Sequence, residues 1–141
     1  MAYPVGIDAA WLGADEIGRV GLFITAGEGP IPETALHQLE LGIWPEEAIA
    51  GLSRVGPCNL LAEFPNPSSF IEAAERGIFV YDWTDLHRPR SCALDSYELV
   101  ASPTCEISLS QVRAYLGVEW PEIPVVCNSF GSMVPVCGVK A

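Results

Sequence analysis

Two apolar segments near the amino terminus, "IDAAWL" and "RVGLFIT", are separated by "GADEIG". Gly13, Asp15 and Gly18 supply turn residues there, which predicts a β-hairpin over residues 7–25. In its second arm Arg19, Gly21 and Phe23 alternate with Val20, Leu22 and Ile24, so one face of the hairpin is the more uniformly aliphatic. Pro30 and Pro32 stiffen the loop that follows. Pro32 or Glu33 then begins a short helix carrying Ala35, Leu36 and Leu39 on one side. A second short helix is predicted after Trp44. Pro45 suits its first position, Glu46 and Glu47 complement its positive end, and Ile49, Leu52 and Val55 recur at helical spacing until Gly56-Pro57 stops the run.

The Pro-rich "EFPNPSS" leads into a further helix, with Ser69 and Glu72 as a capping box, Phe70, Ile71 and Ala74 as its apolar side, and Gly77 at its end. "IFVYDW", residues 78–83, has the β-branched and aromatic content of a strand interior to a sheet. "DLHRPRSC" turns the chain, "DSYELVAS" forms the next strand, and "TCEIS" offers a third. A second capping box, Ser108 with Gln111, opens a helix bearing Leu109, Val112 and Leu116 that ends at Gly117. The tail "IPVVCNSFGSMVPVCGV" predicts two short strands around "NSFG", with Pro135 pushing the last toward an edge. No repeat or low-complexity segment interrupts the chain, and strands and helices do not alternate regularly enough for a doubly wound parallel sheet. The pattern predicts one globular domain over residues 1–141, of α+β class, with a mostly antiparallel β-sheet and short helices packed on one face.

Composition adds a charge anomaly. Half of the 141 residues are hydrophobic, enough for a core without staples, yet eighteen acidic residues oppose seven basic ones for a net charge of −11. Such a surface repels nucleic-acid phosphates and anionic lipid and speeds encounter with basic partners. The opening "MAYPVGIDAAWLG" lacks the basic segment and apolar run of a secretion signal. The charge-free stretch Ile123 to Val139 is broken by Pro124, Asn128, Gly131 and Pro135 and falls short of the ~20 apolar residues a membrane helix needs. The expectation is a cytoplasmic protein that binds neither membrane nor nucleic acid. Cysteines at 58, 92, 105, 127 and 137 have no zinc or redox-motif spacing. They read as buried thiols, with a Cys127–Cys137 bridge across a terminal hairpin as the alternative.

Three stretches offer chemistry. "TAGEGPIPETA" has the outline of a phosphate loop, but no Lys or Arg stands between Arg19 and Arg54, and Glu28 and Glu33 occupy the place of the anion. Two prolines also remove amide donors, so Gly27 and Gly29 read as turn residues with positive φ. "YDWTDLHRPR" is the densest polar cluster. Asp82, Asp85 and His87 could hold a metal or share a proton, but Arg88 and Arg90 oppose a cation electrostatically, and a turn with local pairing is the simpler reading. His37 and His87 are the only imidazoles, and no G-x-S-x-G elbow is present. No catalytic residue, cofactor or metal is assigned. Trp44, Trp83 and Trp120 read as core anchors first. Trp83, between Asp82 and Asp85, is the best candidate for a mixed aromatic–acidic patch.

"WLGADEIGRVGLFITAGEGPIPE" resembles the amino-terminal signature of a group of small uncharacterised bacterial proteins: a tryptophan strand, an Asp–Gly turn, a phenylalanine strand and a G-x-G-x-x-P loop. "GIFVYDW" and "YELVASPTCEISLSQV" resemble later segments of the same group. The resemblance brings no established activity and no catalytic motif. Some small acidic bacterial proteins of this size are immunity proteins that neutralise a toxin from a neighbouring cell, and the association implies a non-enzymatic domain that occludes a basic effector. Asp82, Trp83, Asp85, Glu46 and Glu47 are the partner-binding candidates. The alternative is a small-molecule binder or enzyme using the Tyr81–Arg90 turn, with a pocket lined by Trp83, Asp82 and His87. The apolar carboxy-terminal segment, residues 123–141, is a candidate homo-oligomer interface.

Overall fold

The computed structural model of the protein describes residues 2–61, 66–83 and 96–140. Among the described residues seven strands form one mixed sheet: β1 (Ala10–Asp15), β2 (Val20–Ile24), β3 (Cys58–Leu60), β4 (Phe79–Asp82), β5 (Ser96–Pro103), β6 (Val125–Cys127) and β7 (Met133–Pro135). The spatial order is β3-β5-β4-β2-β1-β6, with β7 also paired to β5. Four of the six pairings are antiparallel, β1 with β2 and β5 with each of β3, β4 and β7. The other two, β1 with β6 and β2 with β4, are parallel. Parallel neighbours need a long crossover, and between β2 and β4 that crossover carries a 3-10 helix (Glu33–Glu40), α1 (Pro45–Ile49), β3 and α2 (Ser68–Glu75). The fold is α+β with a mostly antiparallel sheet, as the hydrophobic pattern predicts, and the two parallel pairings make that sheet mixed.

Strand alternation sorts the core into two chemically different layers. Ala10, Leu12, Ala14, Val20, Leu22, Val80 and Val100 face Ile49, Leu52, Ala73, Ala74 and Val112, which belong to or flank α1, α2 and α3 (Leu109–Leu116). The opposite face is aromatic: Trp11, Phe23, Phe79, Tyr81, Trp83 and Tyr97 lie beneath Tyr3, Ala35, Leu36 and Phe130. The more aliphatic set of the first hairpin is therefore the helix-facing one. On the aromatic face the register stacks three cross-strand pairs: Trp11 opposite Phe23, Gly13 opposite Gly21, and Asp15 bonded back to Arg19. The glycine pair is a steric requirement. A Cβ on Gly13 would stand 2.9 Å from the Trp11 ring, and one on Gly21 would stand 3.0 Å from Phe23 and 3.1 Å from Phe130.

Local signals succeed where the decisive partner is a few residues away. Ser108 and Gln111 form the capping box of α3, and Gly117 terminates it at φ 90°. Ser69 and Glu72 form none, because α2 begins two residues earlier than that box requires, at Ser68 after Pro67, with no side-chain cap. The helix after Trp44 stops at Ile49 rather than reaching Val55. Arg76 Nε donates to the carbonyls of Ala50 and Leu52 and so closes the end of that helical run. "TCEIS" forms no strand beyond Pro103, and only Ser108 makes an isolated bridge, to Arg19. The two tail strands do not pair as a hairpin: β6 joins β1, β7 joins β5, and the link between them buries Phe130 against Phe79 and Tyr81. Cys58, Cys105, Cys127 and Cys137 are free thiols, so no Cys127–Cys137 bridge forms, and Cys92 lies outside the described residues. Two of the four, Cys105 and Cys137, are exposed rather than buried.

Gln38 does the work of a strand. β1 is paired to β6 only at its Ala14–Asp15 end. Farther back, the fully buried Gln38 side chain accepts from Leu12 N–H at 2.7 Å and donates to Leu12 C=O at 2.9 Å. Gln38→Leu leaves both backbone groups buried without partners, at roughly 1–3 kcal/mol per group. Urea denaturation of that variant is expected to show a loss of about 2–6 kcal/mol with an unchanged m-value. Among the described residues no helix is long and apolar enough to cross a membrane.

Candidate functional site

On the helix-bearing face, where β2 and β4 end and β1 begins, a cleft of about 480 Å³ opens between the first turns of α1 and α2. Its apolar lining is Ala10, Leu22, Ile24 and Phe70. Three carboxylates reach it from separate parts of the chain: Asp8 from the approach to β1, Glu46 from α1 and Asp82 from the end of β4. Parallel pairing sets Asp82 beside Ile24, which turns it to the helix face and leaves it 5 % exposed. Glu98 of β5 stands opposite it. Among the described residues no Lys or Arg lines this cleft.

A shallower depression lined by Val5, Gly6, Asp8, Ala26, Gly27 and Glu28 shares Asp8 and Ala26 with the cleft. The two are one continuous acidic end of the molecule, and Asp8 is the wall between them. Electrostatics registers the crowding. Burial pushes the Glu46 carboxyl above its ordinary range, and the negative charges of Glu47 and Asp8 push it further in the same direction. Tyr3 is likewise raised, by burial first and then by Glu28 and Asp8.

The glycine loop beside the cleft is not a phosphate cradle. Its four successive amides are already engaged: Ala26 N–H donates to Asp8 Oδ1, Gly27 N–H to Thr25 Oγ1, and Glu28 and Gly29 N–H to Thr25 C=O. Gly27 takes positive φ, 80°, as the sequence suggests, and Ala26 joins it at 51°. Gly29 has no positive φ. Its glycine is required because a Cβ would stand 2.9 Å from Trp83.

The sequence-derived candidates separate sharply. Asp82 and Glu46 come together in the cleft, and Glu47 follows on the exposed side of α1. Trp83 does not join them. Strand alternation turns it to the other face of the sheet, where it is 5 % exposed and packs edge-on against Tyr97 at 5.1 Å. Among the described residues Asp82 and Trp83 therefore face opposite sides of the sheet. Asp85 and the rest of the turn through Arg90, His87 included, lie outside the described residues. The carboxy-terminal segment buries Ile123, Phe130, Val134 and Val136 within its own chain, leaving Val125 exposed. Of the remaining tryptophans, Trp44 is 40 % exposed, whereas Trp120 packs partly against the aliphatic core with its indole N–H buried and unpartnered.

Sequence reasoning missed Asp8. It precedes "AAWL" as an unremarkable strand-flanking acid, and the pairing of β1 with β2 and of β2 with β4, with α1 packed on β1, brings it near Asp82 and Glu46. Among the described residues no group of three or more His, Cys, Asp or Glu side chains is arranged to hold a metal ion. No protein-family model, curated protein or solved structure matches the chain.

Proposed function

We propose that this protein is a non-enzymatic binding domain whose acidic end receives a basic protein, in the manner of an immunity protein that occludes a cationic effector toxin. The supporting observation is the cleft itself: three carboxylates from distant parts of the chain line one depression with an apolar floor, on a molecule carrying eleven surplus negative charges. A long cationic side chain, with an aliphatic stem and a charged tip, matches that lining. The carboxylates steer the encounter, and the apolar floor excludes water from the contact.

Glu46 gives this reading a thermodynamic signature. A carboxyl whose folded pKa is raised stabilises the fold while protonated. That contribution is complete at acid pH and is lost as pH rises from the ordinary value near 4.5 through the raised one. At neutral pH the ionised Glu46 therefore opposes folding. Glu46→Gln is expected to raise the melting temperature at pH 7 slightly while weakening capture of the basic partner, the trade expected of a binding group. The experiment is affinity capture from the source cell with wild-type and Asp8→Asn/Glu46→Gln protein, at low and physiological salt. A basic protein retained by the wild type and lost from the double variant supports the proposal. No basic protein at either salt counts decisively against it.

A further inference from the structure

The segment joining the 3-10 helix to α1 displays large apolar side chains that the fold leaves uncovered. Leu41, Ile43 and Trp44 are 42 %, 44 % and 40 % exposed within four consecutive residues. With Leu39 and Gly42, Ile43 and Trp44 border a small depression of about 130 Å³. Each of the three exposed side chains leaves about two-fifths of its surface in water, where further burial would have been favourable. A cluster of this kind on a water-facing corner marks a contact surface more often than a packing accident. Trp44 is the N-cap of α1.

Acids surround these side chains. Glu40 precedes the segment, and Glu46 and Glu47 follow it in the first turn of α1. Neither Glu46 nor Glu47 has an ion-pair partner among the described residues. Glu46 lines the acidic cleft, two residues beyond Trp44. The first turn of α1 thus joins an apolar corner to an acidic cleft. Charge complementarity then selects the occupant: a second copy of this chain would bring another net charge of −11 to the same corner.

We infer that Leu41, Ile43 and Trp44 form the apolar half of a two-part interface whose occupant is a basic protein. The partner presents a Lys or Arg side chain to the cleft and, beside it, an apolar side chain to Trp44. This rests on the acidic-cleft reading above and adds the hydrophobic anchor that gives such a complex its specificity.

Two synthetic peptides of equal length and positive charge test it, one alternating Lys with Leu and the other Lys with Ser. Binding is followed by calorimetry at low salt and by protection of tryptophan fluorescence from iodide. Wild-type protein is expected to bind the Lys/Leu peptide at least tenfold more tightly and to lose iodide access to Trp44. Trp44→Ala and, independently, Ile43→Ser should abolish that tenfold preference and leave Lys/Ser binding unchanged. Glu46→Gln should weaken both peptides. If Trp44→Ala and Ile43→Ser, each checked for a wild-type circular dichroism spectrum, leave the preference intact, the apolar half is overturned and the acidic cleft stands. If neither peptide binds, the cleft reading falls and takes this inference with it. A Trp44-dependent dimer of the protein alone in sedimentation would also overturn it, by assigning the corner to a second copy.

Discussion

Asp15→Ala is expected to destabilise the protein by about 3–5 kcal/mol in urea denaturation at neutral pH, the range for removing one partner of a buried ion pair. Asp15 is 1 % exposed and its two oxygens are fully used. Oδ1 accepts from the amides of Gly18 and Arg19 at 3.0 and 2.9 Å, while Oδ2 accepts from Arg19 Nε at 2.7 Å and from the Phe130 amide at 3.0 Å. The carboxylate ties the β1–β2 turn to the distant link between β6 and β7. Arg19 extends the tie, donating to Ser129 Oγ at 2.7 Å, lying 3.6 Å from Glu106 and covering the Phe79 ring at 5.2 Å. Truncating Asp15 leaves the Arg19 and Phe130 amides without this acceptor and removes one of the acceptors of the Gly18 amide and of the partly buried guanidinium.

The same group sets an acid limit. Burial alone would raise the Asp15 carboxyl, but the Arg19 and Phe130 amides and the Arg19 guanidinium outweigh it and hold the carboxyl below its ordinary value of 3.8. A folded pKa below the unfolded one contributes stability that is complete above the unfolded value and is lost as pH falls through the folded one. Stability of the wild type should therefore drop below about pH 4. Asp15→Asn, starting from lower stability, should show a shallower drop over that window. An equally steep acid transition in Asp15→Asn would show that other carboxylates govern it.

Phe23→Ala should be comparably severe, at about 3–5 kcal/mol for deleting a buried aromatic ring. Phe23 is the hub of the aromatic layer: it stacks on Trp11 at 4.3 Å and on Tyr81 at 4.9 Å, and meets Tyr97 and Phe130 edge-on at 5.2 and 6.0 Å. The Gly13–Gly21 pair beside it has no side chains to close the gap. The void would adjoin Phe130, so loosening of the β6–β7 link is expected together with the lost stability. Hydrogen exchange in wild type and Phe23→Leu, which retains part of the volume, would register it as faster exchange of the amides that bond across β1–β6 and β5–β7. Unchanged protection there would show that the aromatic layer relaxes around the hole.

Wherever a signal rests on chemistry within one turn or one strand, it can be read without the fold. The alternation in "RVGLFIT", the aromatic and β-branched run at 78–83, and the Ser108–Gln111 box are of this kind, and each element forms where its residues indicate. Ser69 with Glu72 has the same spacing, yet α2 is capped at Pro67, two positions early. At the site, Glu46 was legible because a proline-started helix advertises its first-turn acids. Asp82 was legible as a polar ending to an apolar strand. Trp83 was misleading for a physical reason: neighbours in a strand point to opposite faces, so adjacency to an acid separates the two side chains rather than joining them.

By itself, the sequence determined an α+β chain with an aliphatic and an aromatic side to its first hairpin, the places of its central strands, and a net charge of −11. Tertiary structure alone decided that β2 and β4 run parallel, that β6 and β7 close onto different strands, and that Asp8, Glu46 and Asp82 converge. It also decided which tryptophan stays at the surface, burying Trp83 and leaving Trp44 out. The division follows from range. Periodicity, caps and turns are settled by residues a few positions apart, whereas strand partners and cleft walls are settled by which distant surfaces bury each other best, and no local pattern encodes that competition.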